Sequence, residues 1–125
     1  KVAMLKKELI AKAVERHGVK VVVYRGEANV DAIKDLAFQI KGESNMDEKV
    51  FFVAGIKDGA KCALMVMLSE PLVADGLDAS KLVKDAARLI QGGGGGQAHF
   101  ATAGGKNSDG LAQAVDQILE AADLK

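Results

Sequence analysis

From Lys1 to His17 apolar residues recur near every 3.6 positions, at Val2, Leu5, Leu9, Ala13 and Val14. That spacing places them on one face of an amphipathic helix, with Gly18 as the stop signal. Val19–Tyr24 is apolar and β-branched apart from Lys20 and predicts an inner strand. Asn29 suits the cap of a second helix. Its buried face is Val30, Ile33, Leu36, Ala37 and Ile40, and Gly42 closes it. Glu43–Lys49 is polar and reads as a loop. Val50–Ile56 and Lys61–Leu68 are nearly continuous apolar runs on either side of Lys57-Asp58-Gly59-Ala60. The Asp-Gly pair predicts a hairpin with a type I′ turn. Unbroken apolar runs predict a sheet covered on both faces. Pro71 and Gly76 punctuate the return. Asp78 caps a helix striped by Leu82, Val83, Ala86, Leu89 and Ile90, and Asn107 or Ser108 caps a last helix with Leu111, Ala114, Val115, Ile118, Leu119 and Ala122 inward. The class is α/β, a mixed sheet of about four or five strands with flanking helices.

Composition narrows the function more than the fold. The 125 residues fit one domain, at about 100–200 residues per domain. Seventeen basic residues balance seventeen acidic ones. This excludes a free-standing basic nucleic-acid binder, whose pI would exceed about 9. A chain 49% hydrophobic and 27% charged is neither disordered nor membrane-spanning. The longest apolar stretch, Cys62–Leu68, is far short of the ~20 residues of a membrane helix. The first 17 residues are charged and amphipathic, unlike a signal peptide. One cysteine excludes an intrachain disulfide framework and fits a cytoplasmic setting. The chain opens on Lys1 already in helical periodicity, so we expect a piece of a longer protein. Residues 1–20 hold six basic against two acidic groups, which puts the positive surface mostly on the first helix: Lys1, Lys6, Lys7, Lys12 and Arg16.

Gly92–Gly96 are five consecutive glycines, each about 0.5–1 kcal/mol less favourable than alanine in a regular element. A flexible linker is one account. The other is a loop whose backbone comes close to a ligand or to another segment of chain, its bare N–H groups forming an anion-binding concavity. No Gly-Lys-Ser/Thr follows, so it is not a Walker loop. The glycines follow a helix and not a strand, so it is not a dinucleotide fingerprint either.

The run Gly92 to Gly96, continued by Gln97-Ala98-His99-Phe100-Ala101-Thr102-Ala103-Gly104-Gly105 between two amphipathic helices, resembles the DHH-associated domain found at the C-terminus of alanyl-tRNA synthetases and shared with DHH-type phosphoesterases. The resemblance covers essentially the whole chain. It implies residues 1–17 as the end of a preceding helical subdomain and residues 18–125 as the globular domain. In that family a lysine usually stands among the glycines, where this chain has Gly93, and Arg-Pro-Asp often follows, where it has Gln97, Ala98 and His99. The resemblance implies binding of tRNA(Ala) at its outer corner, in cooperation with the aminoacylation and editing domains of one parent chain. It implies no catalytic residue or cofactor in this piece, with ATP, Mg²⁺ and Zn²⁺ used elsewhere in the parent, and a homodimer through the helical subdomain.

The candidate RNA contacts are Gly93, Gly94, Gly95, Gly96, Gln97, His99, Lys106 and Asn107. His99 can donate to phosphate or serve a local backbone bond. Lys106 would add its charge to the N–H groups at the start of the last helix. His17 suits the end of the first helix. Cys62 reads as a buried small hydrophobe. Tyr24 is expected at a loop edge, and Phe100 pins the glycine segment to the core. Few aromatics favour recognition of shape over base readout. Two other functions fit the residues: the substrate lobe of a phosphoesterase acting on short oligonucleotides, and a dimerisation domain using Val2, Leu5 and Leu9.

Overall fold

A computed structural model describes residues 2–125, with side chains from Ala3 onward. Lys1 and the Val2 side chain of the expected first stripe lie outside the described residues. Along the chain run α1 (Val2–Ala11), β1 (Val14–Arg16), β2 (Val19–Glu27), α2 (Val30–Glu43), β3 (Val50–Asp58) and β4 (Lys61–Leu68). Then come α3 (Glu70–Ala74), α4 (Ala79–Ala87), β5 (Gly92–Gly96), β6 (Phe100–Gly105) and α5 (Leu111–Ala121). Short 3₁₀ turns at Arg88–Ile90 and Ser108–Gly110 precede β5 and α5. The strands form one six-stranded sheet in the order β1-β2-β3-β4-β6-β5, parallel only between β2 and β3. The α/β class with a mixed sheet, flanking helices and an N-terminal helix is as the sequence leads one to expect. The strand count exceeds four or five because β1 and β5 carry no strand-like side-chain pattern.

Both central strands bury both faces, as their unbroken apolar runs require. Phe51, Val53, Leu64, Val66 and Leu68 face a core completed by Leu82 and Val83 of α4 and by Val115 and Ile118 of α5. Phe52, Ala54, Ile56, Met65 and Met67 face a second core with Ile33, Leu36, Ala37 and Ile40 of α2 and Leu9 of α1. Asn29 caps α2, its Oδ1 accepting from Ala32 N–H at 3.2 Å. Asp78 caps α4 by accepting from the N–H groups of Ser80 and Lys81. α2 runs one residue past Gly42 and ends with Ser44 as its cap.

Several local expectations are corrected. The first helix ends at Ala11, and Val14–Arg16 crosses to become an edge strand. His17 and Gly18 are the two-residue turn of that hairpin, with φ of +53° and +79°, the double positive φ of a type I′ turn. His17 therefore caps no helix. At the β3–β4 turn the loop residues are Gly59 and Ala60, and only Gly59 has positive φ, at +65°, the II′ pattern. Pro71 sits in the first turn of α3, a short helix that its punctuation role does not foretell. Asn107 caps the 3₁₀ turn and not α5, which starts at Leu111. Tyr24 is buried, its hydroxyl donating to Glu27 O at 3.2 Å. Burial and then the Glu27 charge push its phenol pKa up.

The glycine row is neither linker nor loop. It is β5, an edge strand paired antiparallel to β6 from Gly92↔Gly105 to Gly96↔Ala101. A Cβ on Gly92 would lie 2.6 Å from Gly105 Cα, one on Gly94 2.5 Å from Ala103 Cα, and one on Gly96 2.5 Å from Phe100 O. Those distances are below any non-bonded contact. A Cβ on Gly93 meets nothing within 4 Å, and one on Gly95 meets only Lys84 and Ser80 side chains. Steric demand thus alternates along the strand, and Gly94→Ala is expected to destabilise the fold by about 2 kcal/mol or more. Gly93→Ala is expected to stay within about 0.5 kcal/mol of the parent. Urea titration of the two variants checks this, and equal losses would refute the alternation.

Candidate nucleic-acid interface

Antiparallel pairing decides where the glycine amides point. At the hairpin tip Gln97 N–H donates to Phe100 O at 2.9 Å and Phe100 N–H donates back to Gln97 O at 3.3 Å. Bonded and non-bonded pairs alternate from there. Gly95 and Gly93 therefore exchange bonds with Thr102 and Gly104, while Gly96, Gly94 and Gly92 turn their N–H and C=O groups outward. Gly92, Gly94 and Gly96 are exposed, so these groups face solvent.

The strand is held firmly. Ala98 O accepts from Ala79 N–H in the first turn of α4 at 2.8 Å, and His99 O accepts from Leu68 N–H at 2.9 Å. At the far end Ile90 O accepts from the N–H groups of both Lys106 and Asn107, at 2.9 and 3.0 Å. The predicted contact residues consequently spread along the hairpin, with Gly93 and Gly94 paired to Gly104 and Ala103 between its two ends. Gly95, Gly96, Gln97 and His99 gather round a hollow of about 340 Å³ at the tip. Lys106 and Asn107 sit at the opposite end of β6, on the order of 15–20 Å away at about 3.3 Å per residue. Asn107 uses its Oδ1 to accept from Asp109 N–H at 3.2 Å, while Lys106 is exposed.

Three residues outside the sequence-based candidates belong to this surface. Lys84 of α4 brings its side chain to Gly95 on one side of the strand. Lys34 of α2 stands on the other side, its Nζ 5.7 Å from the Phe100 ring centroid. Phe38, one helical turn beyond Lys34, stacks on Phe100 at 4.7 Å between centroids. The available signal was the i, i+4 spacing of Lys34 and Phe38, one position off the buried stripe of α2. Among the described residues, Lys34, Lys84 and Lys106 make no ion pair.

The first helix is less cationic than its composition suggests. Lys6 pairs with Glu43 and Gln39 on α2, and Arg16 lies on β1. Leu9 is buried and Leu5 partly buried in this domain's own core. Cys62 is buried, and burial pushes its thiol pKa up, away from nucleophilic chemistry. Among the described residues no group of three or more His, Cys, Asp or Glu is placed to hold a metal ion, and no helix is long and apolar enough to cross a membrane.

Comparison with known proteins gives one consistent picture. The DHHA1 domain family matches residues 18–124. The chain is 56% identical over 121 residues to an alanine–tRNA ligase of Parabacteroides distasonis, covering 97% of this chain and 14% of that protein. It thus spans about 14% of the length of the curated relatives it matches. In structure it resembles the C-Ala domain of alanyl-tRNA synthetase from Aquifex aeolicus, with TM-score 0.71 and 22% identity over 91% of this chain and 99% of that one. RecJ from Thermus thermophilus, solved with Mg²⁺, shares the fold at TM-score 0.63 and 16% identity, over 98% of this chain and 17% of its own.

The amide pattern is directly measurable. Native-state hydrogen exchange should show Gly93 and Gly95 N–H exchanging at least about tenfold more slowly than Gly92, Gly94 and Gly96. Uniform rates along the strand would overturn the assignment of outward donors.

Proposed function

The chain belongs to the DHHA1 domain family, and from that premise we propose that it is the tRNA-binding C-terminal domain of an alanine–tRNA ligase. One observation carries the RNA-binding part: an outward row of amides at Gly92, Gly94 and Gly96 with Lys84 on one side and Lys34 on the other. Fixed N–H donors and flanking ammonium groups suit phosphate oxygens, and such contacts position an RNA without reading its sequence. Gly93–Gly96 with Gln97 and His99 would take one stretch of backbone. Lys106, with Asn107 beside it, would take another. Two contact points this far apart fit the surface of a folded RNA, here the outer corner of tRNA(Ala), better than a mononucleotide.

In this reading the domain performs no chemistry. It holds one tRNA while the aminoacylation and editing domains of the same parent chain act on it in turn, in the cytoplasm. ATP, Mg²⁺ and Zn²⁺ serve those other domains, and self-association runs through the helical subdomain of which residues 1–17 are the end. The missing lysine and Arg-Pro-Asp make the glycine edge a backbone contact with few side-chain charges.

Two experiments test the proposal. With three unpaired lysines at the edge, log affinity for tRNA(Ala) against log salt should have a slope of roughly −2 to −3, and Lys84→Ala should flatten it by about one. Gly93→Lys, at the sterically open position, should raise affinity severalfold at low salt, and Gly93→Asp should lower it, both with unchanged melting. An unaltered affinity in all three variants would refute contact at this edge. Removing the domain from the parent should cut tRNA affinity and editing while sparing alanyl-adenylate formation. An equal fall in adenylate formation would refute its role as a tRNA module.

A further inference from the structure

Phe38 stands apart from the other aromatic residues. Phe51, Phe52 and Tyr24 are buried and Phe100 is half-buried, yet Phe38 is 40% exposed. It is not a loose ring, because Phe100 backs one side of it at 4.7 Å with planes tilted by 36°. What remains open faces the hollow at the hairpin tip, bordered by Lys34, Gly96, Gln97 and His99. No carboxylate lines that hollow. The cleft therefore pairs an apolar, π-faced wall with a cationic rim and the outward N–H of Gly96.

That combination selects a flat aromatic ring carrying an anionic group. A purely apolar partner would leave Lys34 and the Gly96 amide unmatched, and an inorganic anion would leave the Phe38 ring bare. We infer that Phe38, braced by Phe100, is a stacking platform for one unpaired nucleobase of the bound RNA, with Lys34 and Gly96 N–H receiving the adjoining phosphate. The inference rests on the RNA-binding reading above and adds base contact to a surface otherwise suited to shape. Stacking accepts any base, so the platform requires an unstacked nucleotide at one place in the RNA and tolerates its identity.

The test uses this chain and tRNA(Ala) carrying 2-aminopurine at single unpaired positions of its outer corner. Binding should quench the fluorophore at one position, and Phe38→Ala should abolish that quench and weaken binding about fivefold or more. Phe38→Trp should keep both. Phe38→Leu, which preserves apolar packing on Phe100, should lose the quench, separating stacking from a folding defect. If Phe38→Ala and the parent bind and quench alike while Gly93→Asp binds more weakly, the platform is refuted and the RNA-binding reading stands. If the chain binds no tRNA, both fall. Free adenosine monophosphate should fail to displace the tRNA at millimolar concentration. Displacement there would overturn the assignment in favour of a free-nucleotide site.

Discussion

The architecture turns on burying β3 and β4 on both faces. Neither strand offers water a polar side chain along its middle, so helices must lie above and below. The two layers do not cover the same strands. α2 lies over β3 and β4, whereas α4 lies over β4, β6 and β5. One face of the β6–β5 hairpin is thereby left without a helix. The side chains that flank the candidate interface follow from that offset: α2 ends its cover near Phe100, so Lys34 and Phe38 lean over bare sheet, while α4 delivers Lys84 from the opposite layer.

The glycine row then has an explanation that does not begin with a ligand. Three of its five members let β5 lie flat against the β6 backbone, where a methyl group would overlap Gly105, Ala103 or Phe100. The outward amides are what such a strand presents once its inner face is satisfied. Anion contact is thus an opportunity created by a packing solution. The alternation also accounts for where a side chain can return. Gly93, where an added Cβ meets nothing within 4 Å, is the open position of the strand.

Much of this was legible from the chain. Caps at Asn29 and Asp78, the β3–β4 hairpin and the two-sided strands all carry local side-chain signals that the fold obeys. The failures share one cause, side chains that are absent or ambiguous. β5 has no alternation because it has no side chains. Ala13 and Val14 continue a helical spacing by coincidence, and the chain breaks at Ala11 because His17-Gly18 favours a hairpin that pairs Val14 with Val21. Lys34 and Phe38 sit beside the stripe that marks α2 as amphipathic, and only the packed sheet shows that they overlook the glycine edge. Lys106 and Asn107 fall on the far end of β6 because the hairpin, invisible in the glycines, carries the chain away from His99.

β5 is also the strand with the greatest loss of backbone freedom and the least apolar burial to offset it. Separating β5 from the sheet therefore gives up less apolar burial than opening the doubly covered centre, and its backbone bonds are what hold it. A polyanion held along the edge in the proposed way would bind only the closed hairpin, which would link occupancy to local order. The bond from Ala79 N–H to Ala98 O ties the hairpin tip to the first turn of α4, so the edge and the helix layer behind it are mechanically joined.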